Sequence, residues 1–132
     1  MFKKTLFLGV TAGLLSGLAC TVYAEVFSWA NAGMLDFSSV VTTPMYFGAC
    51  IFVCVLAGIG YWLADKLFKS KGQIVFNFLF TIISFGTIIM PFAATLPLDL
   101  EFPEMFPGLV VPMHFFPAIV WFTIQPLFIK AK

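Results

Sequence analysis

Hydrophobic positions run along this chain in four long blocks separated by shorter polar stretches. The blocks cover residues 6–24, 44–64, 74–96 and 109–129. Each is roughly 20 residues, the length an α-helix needs to cross a hydrocarbon core of about 30 Å. The stretches between them are 25–43, 65–73 and 97–108. This pattern predicts an all-α membrane protein, a four-helix transmembrane bundle forming a single integral membrane domain over 1–132.

The first block follows Lys3 and Lys4 and admits two readings. One is a secretory signal peptide cleaved after Val22-Tyr23-Ala24, which would leave three spans. The other is a retained first helix, and this is the expectation adopted. Gly9, Gly13 and Gly17 recur every four residues, with Thr21 continuing the row, so they share one face. Such a ridge lets two membrane helices approach closely, where no hydrophobic effect drives them together. Cys20 fits a lipoprotein signal poorly, because Gly17 stands where that signal wants Leu.

In the second block Pro44 suits a first helical turn. Cys50, Cys54, Gly58 and Tyr61, with Ala57 beside them, form a small-residue stripe expected to face the glycine ridge. Gly72 is expected to break the chain before the third block. There Asn77, Thr81 and Ser84 share a face, a polar stripe expected to turn inward and bond neighbouring helices. Pro91 is expected to kink the outer end. Pro112, Pro117 and Pro126 predict a bent or interrupted fourth helix, with His114, Ala118, Trp121 and Gln125 on one face. The 25–43 stretch is too polar to span, and Phe27, Trp29, Leu35 and Phe37 are expected to anchor it at the membrane interface.

Composition reinforces the pattern. A soluble domain carries about 25% charged residues. This chain of 132 residues has 10% charged and 61% hydrophobic residues, so it could not cover itself with a polar surface. Charge also fixes a direction. Lipid-facing charge costs roughly 2.5–3.5 kcal/mol per residue at a helix centre. All seven lysines lie at the amino end, in 66–71 or at the carboxyl end, and five of the six acids lie in 25–43 and 97–108. Four crossings place every lysine on one side. The positive-inside rule makes that side cytoplasmic, with both termini there and the two acidic stretches external. The expected location is a bacterial inner membrane, crossed several times.

The absence of arginine leaves no basic patch for nucleic acid. No motif for a cofactor, a metal centre or a catalytic constellation stands out. The cysteines, Cys20, Cys50 and Cys54, all sit in apolar blocks, and their odd number argues against a disulfide framework. Cys50 and Cys54 lie one helical turn apart and lack the helix N-terminal setting of a redox pair, so they are expected to pack rather than react.

Three polar side chains remain as candidates. His114, the sole histidine, could serve a proton relay with Glu25, Asp36 or Glu101. The plainer reading is a neutral imidazole bonded across to another helix or to a carbonyl freed by Pro117. Asn77 and Gln125 are expected at similar depth, where an interhelical hydrogen bond would contribute ~0.6 kcal/mol. Glu101 and Glu104 could meet a divalent cation, against the default of a solvated acidic loop.

The functional expectation is a non-catalytic bundle, surrounded by the lipid bilayer. It would act as an accessory or assembly partner, either with copies of itself or in a larger membrane complex. The alternative is a small oligomeric transporter or channel using His114 and the Asn77 and Gln125 stripes. A thiol or quinone oxidoreductase would require Cys50 and Cys54 to react.

Overall fold

The structure, a computed structural model, describes residues 1–129. Lys130 and Lys132, assigned above to the cytoplasmic side, lie outside the described residues. All regular structure among the described residues is helical: α1 (Phe2–Ala30), α2 (Thr43–Phe68), α3 (Gly72–Thr87), α4 (Ile89–Ala93) and α5 (Phe106–Phe128), with 3-10 turns at Lys69–Lys71 and Pro103–Met105.

Three helical stretches are long and apolar enough to cross a membrane: Phe2–Ala30, Thr43–Ala93 and Pro103–Phe128. That differs from the four expected, because α2, the 69–71 turn, α3 and α4 follow one another without an intervening loop, so the second and third blocks form the single 51-residue stretch Thr43–Ala93. α3 has 16 residues and α4 has 5. The break between them has a local cause. Pro91 has no N–H to give the carbonyl of Thr87 four residues back, and its ring crowds that carbonyl. The ladder ends at Thr87, and the Ile88 N–H donates to the Phe85 carbonyl at 3.2 Å. α5, by contrast, runs without interruption through Pro112, Pro117 and Pro126.

The expected 65–73 loop is almost entirely helical. α2 continues to Phe68, and the chain reverses at Lys69, with φ 49° and ψ −115°. A non-glycine residue held there costs of order 1–3 kcal/mol. Gly72, expected to break the chain, has ordinary helical angles of φ −56° and ψ −39°. Its role is steric. A Cβ on it would lie 2.5 Å from the Asp65 Cα and 2.6 Å from the Ala64 carbonyl oxygen, so the hairpin closes tightly only over glycine.

α1 and α2 run antiparallel with their backbones nearly touching. A Cβ on Gly13 would lie 2.6 Å from the Ile51 Cα, and one on Gly9 would lie 2.5 Å from the Cys54 carbonyl oxygen. From the other side, a Cβ on Gly58 would lie 2.6 Å from the Thr5 carbonyl oxygen. Gly17 lies under the Phe47 ring. The remaining helices close a ring in which α3 packs on α2, α5 packs on α3, and α5 returns to α1. Neighbours around this ring are antiparallel: Tyr61 meets Phe76, Phe85 meets Phe115, and Phe7 meets Phe128.

This arrangement gathers the amino end, the Lys69 reversal and the end of α5 at one end of the bundle. There Phe2 stacks edge-on to Trp62 at 5.3 Å, and the Lys66 Nζ lies 5.3 Å from the same indole ring centre. The core at this end is aromatic. Trp121, fully buried, lies 5.5 Å from Phe76, 6.0 Å from Phe80 and 6.3 Å from Tyr61, measured between ring centres. At the opposite end a second core holds Cys20, Cys50, Phe106, Leu109 and Met113, closed by Phe37 from the 31–42 loop. Phe37 is not the anchor at the membrane interface that its sequence position suggests. It is buried instead, 5.6 Å from Phe106, while Trp29 is 84% exposed.

One bond repairs a defect that the sequence creates. Pro112 cannot donate to the carbonyl of Gly108, four residues earlier, so that oxygen is orphaned within its helix. The Tyr23 hydroxyl of α1 donates to it at 2.8 Å. Tyr23→Phe is therefore expected to lower stability by about 1 kcal/mol, read by equilibrium unfolding in mixed micelles. Unchanged stability would show that the Gly108 carbonyl does not depend on this hydroxyl.

Candidate functional site

Polar side chains on the helices, buried and exposed alike, spend their hydrogen bonds mainly on their own helices. Thr11, Thr21, Thr81, Ser84 and Thr123 each donate to a carbonyl four residues back, at 2.8–3.0 Å. Ser16, fully buried, does the same to Ala12 at 2.6 Å and also lies 3.4 Å from the Phe116 carbonyl of α5. In an environment without water this local acceptor is always within reach, so it outcompetes a partner on another helix. Of the expected inward polar stripe on α3, Ser84 is buried, while Asn77 and Thr81 are only partly buried. The buried face of α3 is Gly72, Phe76, Phe80 and Ser84, one position back from Asn77 and Thr81.

His114 follows the same rule. Its Nδ1 lies 2.8 Å from the carbonyl of Val110, one turn earlier in α5. That is neither another helix nor the Met113 carbonyl that Pro117 leaves free. No carboxylate accompanies it in a ligand set: among the described residues, no group of three or more His, Cys, Asp or Glu side chains is arranged to hold a metal ion.

Asn77 and Gln125 do not bond to each other. The Asn77 Oδ1 and Gln125 Nε2 are buried without a hydrogen-bond partner, and so is the Nε1 of Trp121. Gln125 and Trp121 share one face of α5, and Gln125 is only 2% exposed. An unpaired buried polar group costs about 1–3 kcal/mol, so this seam between α3 and α5 is the least well satisfied part of the interior. Nothing in the sequence singles out Trp121 in this respect, because its indole N–H loses its partner through packing between α2 and α3.

The packing residues are placed as follows. Gly9, Gly13 and Gly17 lie against Cys54, Ile51 and Phe47 of α2, and Gly58 lies against Thr5 of α1. Cys54 is buried in the core that Leu8, Tyr61 and Trp121 share. Cys50 belongs to the other core, and its sulfur lies 3.7 Å from that of Cys20. The pairing of Cys20 with Cys50 is invisible to spacing rules, since it follows from the antiparallel register of α1 on α2.

At the end opposite the lysines, two clefts open between the connecting loops. One of about 450 Å³ is lined by Glu25, Phe27, Asp36, Phe37, Tyr46, Leu109 and Met113 among others. A second of about 310 Å³ brings Asp36 together with Asp99 and Glu101, flanked by Met34, Ser39 and Leu100. Glu104, paired with Glu101 in the sequence reading, is not among the lining residues. Asp36 accepts the Ser38 N–H at 2.9 Å. The Ser38 side chain and this backbone bond hold its carboxyl below the usual carboxylate range. Compared with protein-family models, with curated proteins and with solved structures, the chain matches none.

Proposed function

We propose that this chain is a small multi-pass membrane protein whose bundle serves as an accessory or assembly partner within a membrane complex. The observation that carries this reading is the division of labour inside the bundle. Its closest contacts are backbone against backbone at glycines, and its histidine and most of its serine and threonine hydroxyls bond their own helices, with Tyr23 and Ser16 also reaching α5. The glycine contacts hold the helices together, and side chains committed to their own helices are not free to line a polar route between the two ends. The outward faces are large and apolar, including Phe52, Phe78, Ile83, Phe85 and Phe92. These side chains suit lipid or the helices of a partner.

The reading includes four crossings, with α3 and α4 together making the third. At about 1.5 Å per residue the 72–93 stretch reaches about 33 Å, enough for the hydrocarbon core despite the break at Ile88. The lysine-bearing end faces the cytoplasm and the acidic loops face outward, in the inner membrane of a bacterial cell. α1 is retained, since removal of 1–24 would strip out Leu8, Ala12, Ser16 and Cys20, all fully buried.

Topology is tested by labelling sealed, right-side-out vesicles with a membrane-impermeant maleimide. Glu101→Cys is expected to react and Lys69→Cys to stay protected until the vesicles are opened; reaction of both, or of Lys69→Cys alone, contradicts the orientation. The functional reading is tested by native mass spectrometry after mild detergent extraction. The expected species contains the chain with residues 1–24 in place and is heavier than a single 14.6 kDa copy, through further copies or a stoichiometric partner. A single-chain particle at every concentration would overturn it.

A further inference from the structure

The observation left over from packing is the approach of two thiols across the helix seam. The Cys20 and Cys50 sulfurs are 3.7 Å apart, on different helices and separated by 30 positions in the chain. Both residues are buried, Cys20 fully and Cys50 at 5% exposure. Both carry free thiols in this structure. We propose that Cys20 and Cys50 are a disulfide-forming pair, which an uncharged, membrane-permeant two-electron acceptor of the quinone or azo class oxidises to a covalent staple between α1 and α2.

Three features support this pairing over the alternatives. The first is reach. A disulfide needs its Cα atoms within about 7 Å and its sulfurs at about 2 Å. The same seam carries Gly13, Gly9 and Gly58, where an added Cβ would strike the facing backbone at 2.5–2.6 Å. Helices held that close bring facing cysteines together, and the two sulfurs, 3.7 Å apart, have less than about 2 Å left to close. The second is selection within the trio. Cys54 shares a helix with Cys50 one turn away, and its burial is with Leu8, Tyr61 and Trp121 in the other core. A bridge between adjacent turns of α2 would join nothing that the helix does not already hold. The third is surroundings. The pair lies in an apolar core with Phe106, Leu109 and Met113, which favours a small uncharged acceptor able to enter that core over a charged one.

The chemistry balances with the azo reagent diamide. One thiol sulfur adds to a nitrogen of the N=N bond, and its proton goes to the other nitrogen. The second sulfur then attacks the first and expels the hydrazine, which takes the second proton. Two S–H bonds are lost, one S–S bond forms, and the acceptor gains two electrons and two protons. The bond tethers α1 to the rest of the chain, so a cut after Ala24 would leave residues 1–24 attached until the disulfide is reduced.

The test uses the full-length protein folded in mild detergent, exposed to diamide, then denatured and alkylated without reductant. Cyanogen bromide cuts after Met34 and Met45, which separates Cys20 from Cys50 and Cys54. The expected result is one alkylated thiol per chain and a linkage between fragments 2–34 and 46–90 that reduction breaks. Cys54→Ser is expected to keep the linkage, and Cys20→Ser and Cys50→Ser each to abolish it. Three alkylated thiols in the folded wild type, or a linkage that survives Cys50→Ser and is lost in Cys54→Ser, would overturn the proposal. Circular dichroism before oxidation confirms that each variant is helical, so that an unlinked result reports on the pair and not on misfolding.

Discussion

The close approach of α1 and α2 at their glycines is the constraint from which the rest of the bundle follows. In lipid there is no hydrophobic gain from joining two apolar helices, so contact area and dispersion must supply the attraction. Both grow steeply as the helix axes come together. Gly9, Gly13 and Gly58 remove the side chains that would hold the axes apart, and each then meets backbone rather than side chain. The antiparallel register set there decides which residues of α1 and α2 share a depth. It puts Cys20 against Cys50 and Phe2 against Trp62.

Polar chemistry inside the bundle is subordinate to this packing. Backbone amides cannot turn to water at membrane depth, so each defect in a ladder needs a repair from inside the protein. Pro112 creates such a defect at Gly108, and Tyr23 repairs it. Pro91 creates another at Thr87, and there the helix ends instead. Hydroxyls avoid the difficulty by bonding one turn back along their own helix. The exceptions, Asn77, Trp121 and Gln125, lie where α3 meets α5. The unpaired atoms are the Asn77 Oδ1, the Trp121 Nε1 and the Gln125 Nε2, and the Phe76, Phe80 and Trp121 rings pack along the same seam.

Much of the architecture is legible in the residues alone, for physical reasons that can be named. Long apolar blocks in a chain this poor in charge can only be helices in an apolar solvent, and the helical class follows. The lysine clusters share an end of the bundle as far as the described residues reach. What spacing cannot read is competition. Asn77 and Thr81 look like an inward stripe until the larger Phe76 and Phe80 take the inner face, rotating α3 by one position. Gly72 looks like a hinge, yet Lys69 carries the unusual backbone angles and Gly72 is needed for its missing side chain. Pro91 is visible as a disturbance, but the loss of a span-length third helix depends on the ladder ending at Thr87. The meeting of Cys20 and Cys50 needs the register between helices, which one helix's pattern does not contain.

The account stands most directly on a pair of glycine substitutions in the same helical seam and its exposed flank. Alanine is favoured over glycine within a helix by about 1 kcal/mol, so propensity alone raises stability at both positions tested. Gly48 has nothing within 4 Å of an added Cβ, whereas the Cβ of an alanine at Gly13 would lie 2.6 Å from the Ile51 backbone. Equilibrium unfolding in mixed micelles should therefore move in opposite directions, with Gly48→Ala more stable than the wild type and Gly13→Ala less stable. If both substitutions stabilise the protein alike, α1 and α2 are not in backbone contact and the account is wrong.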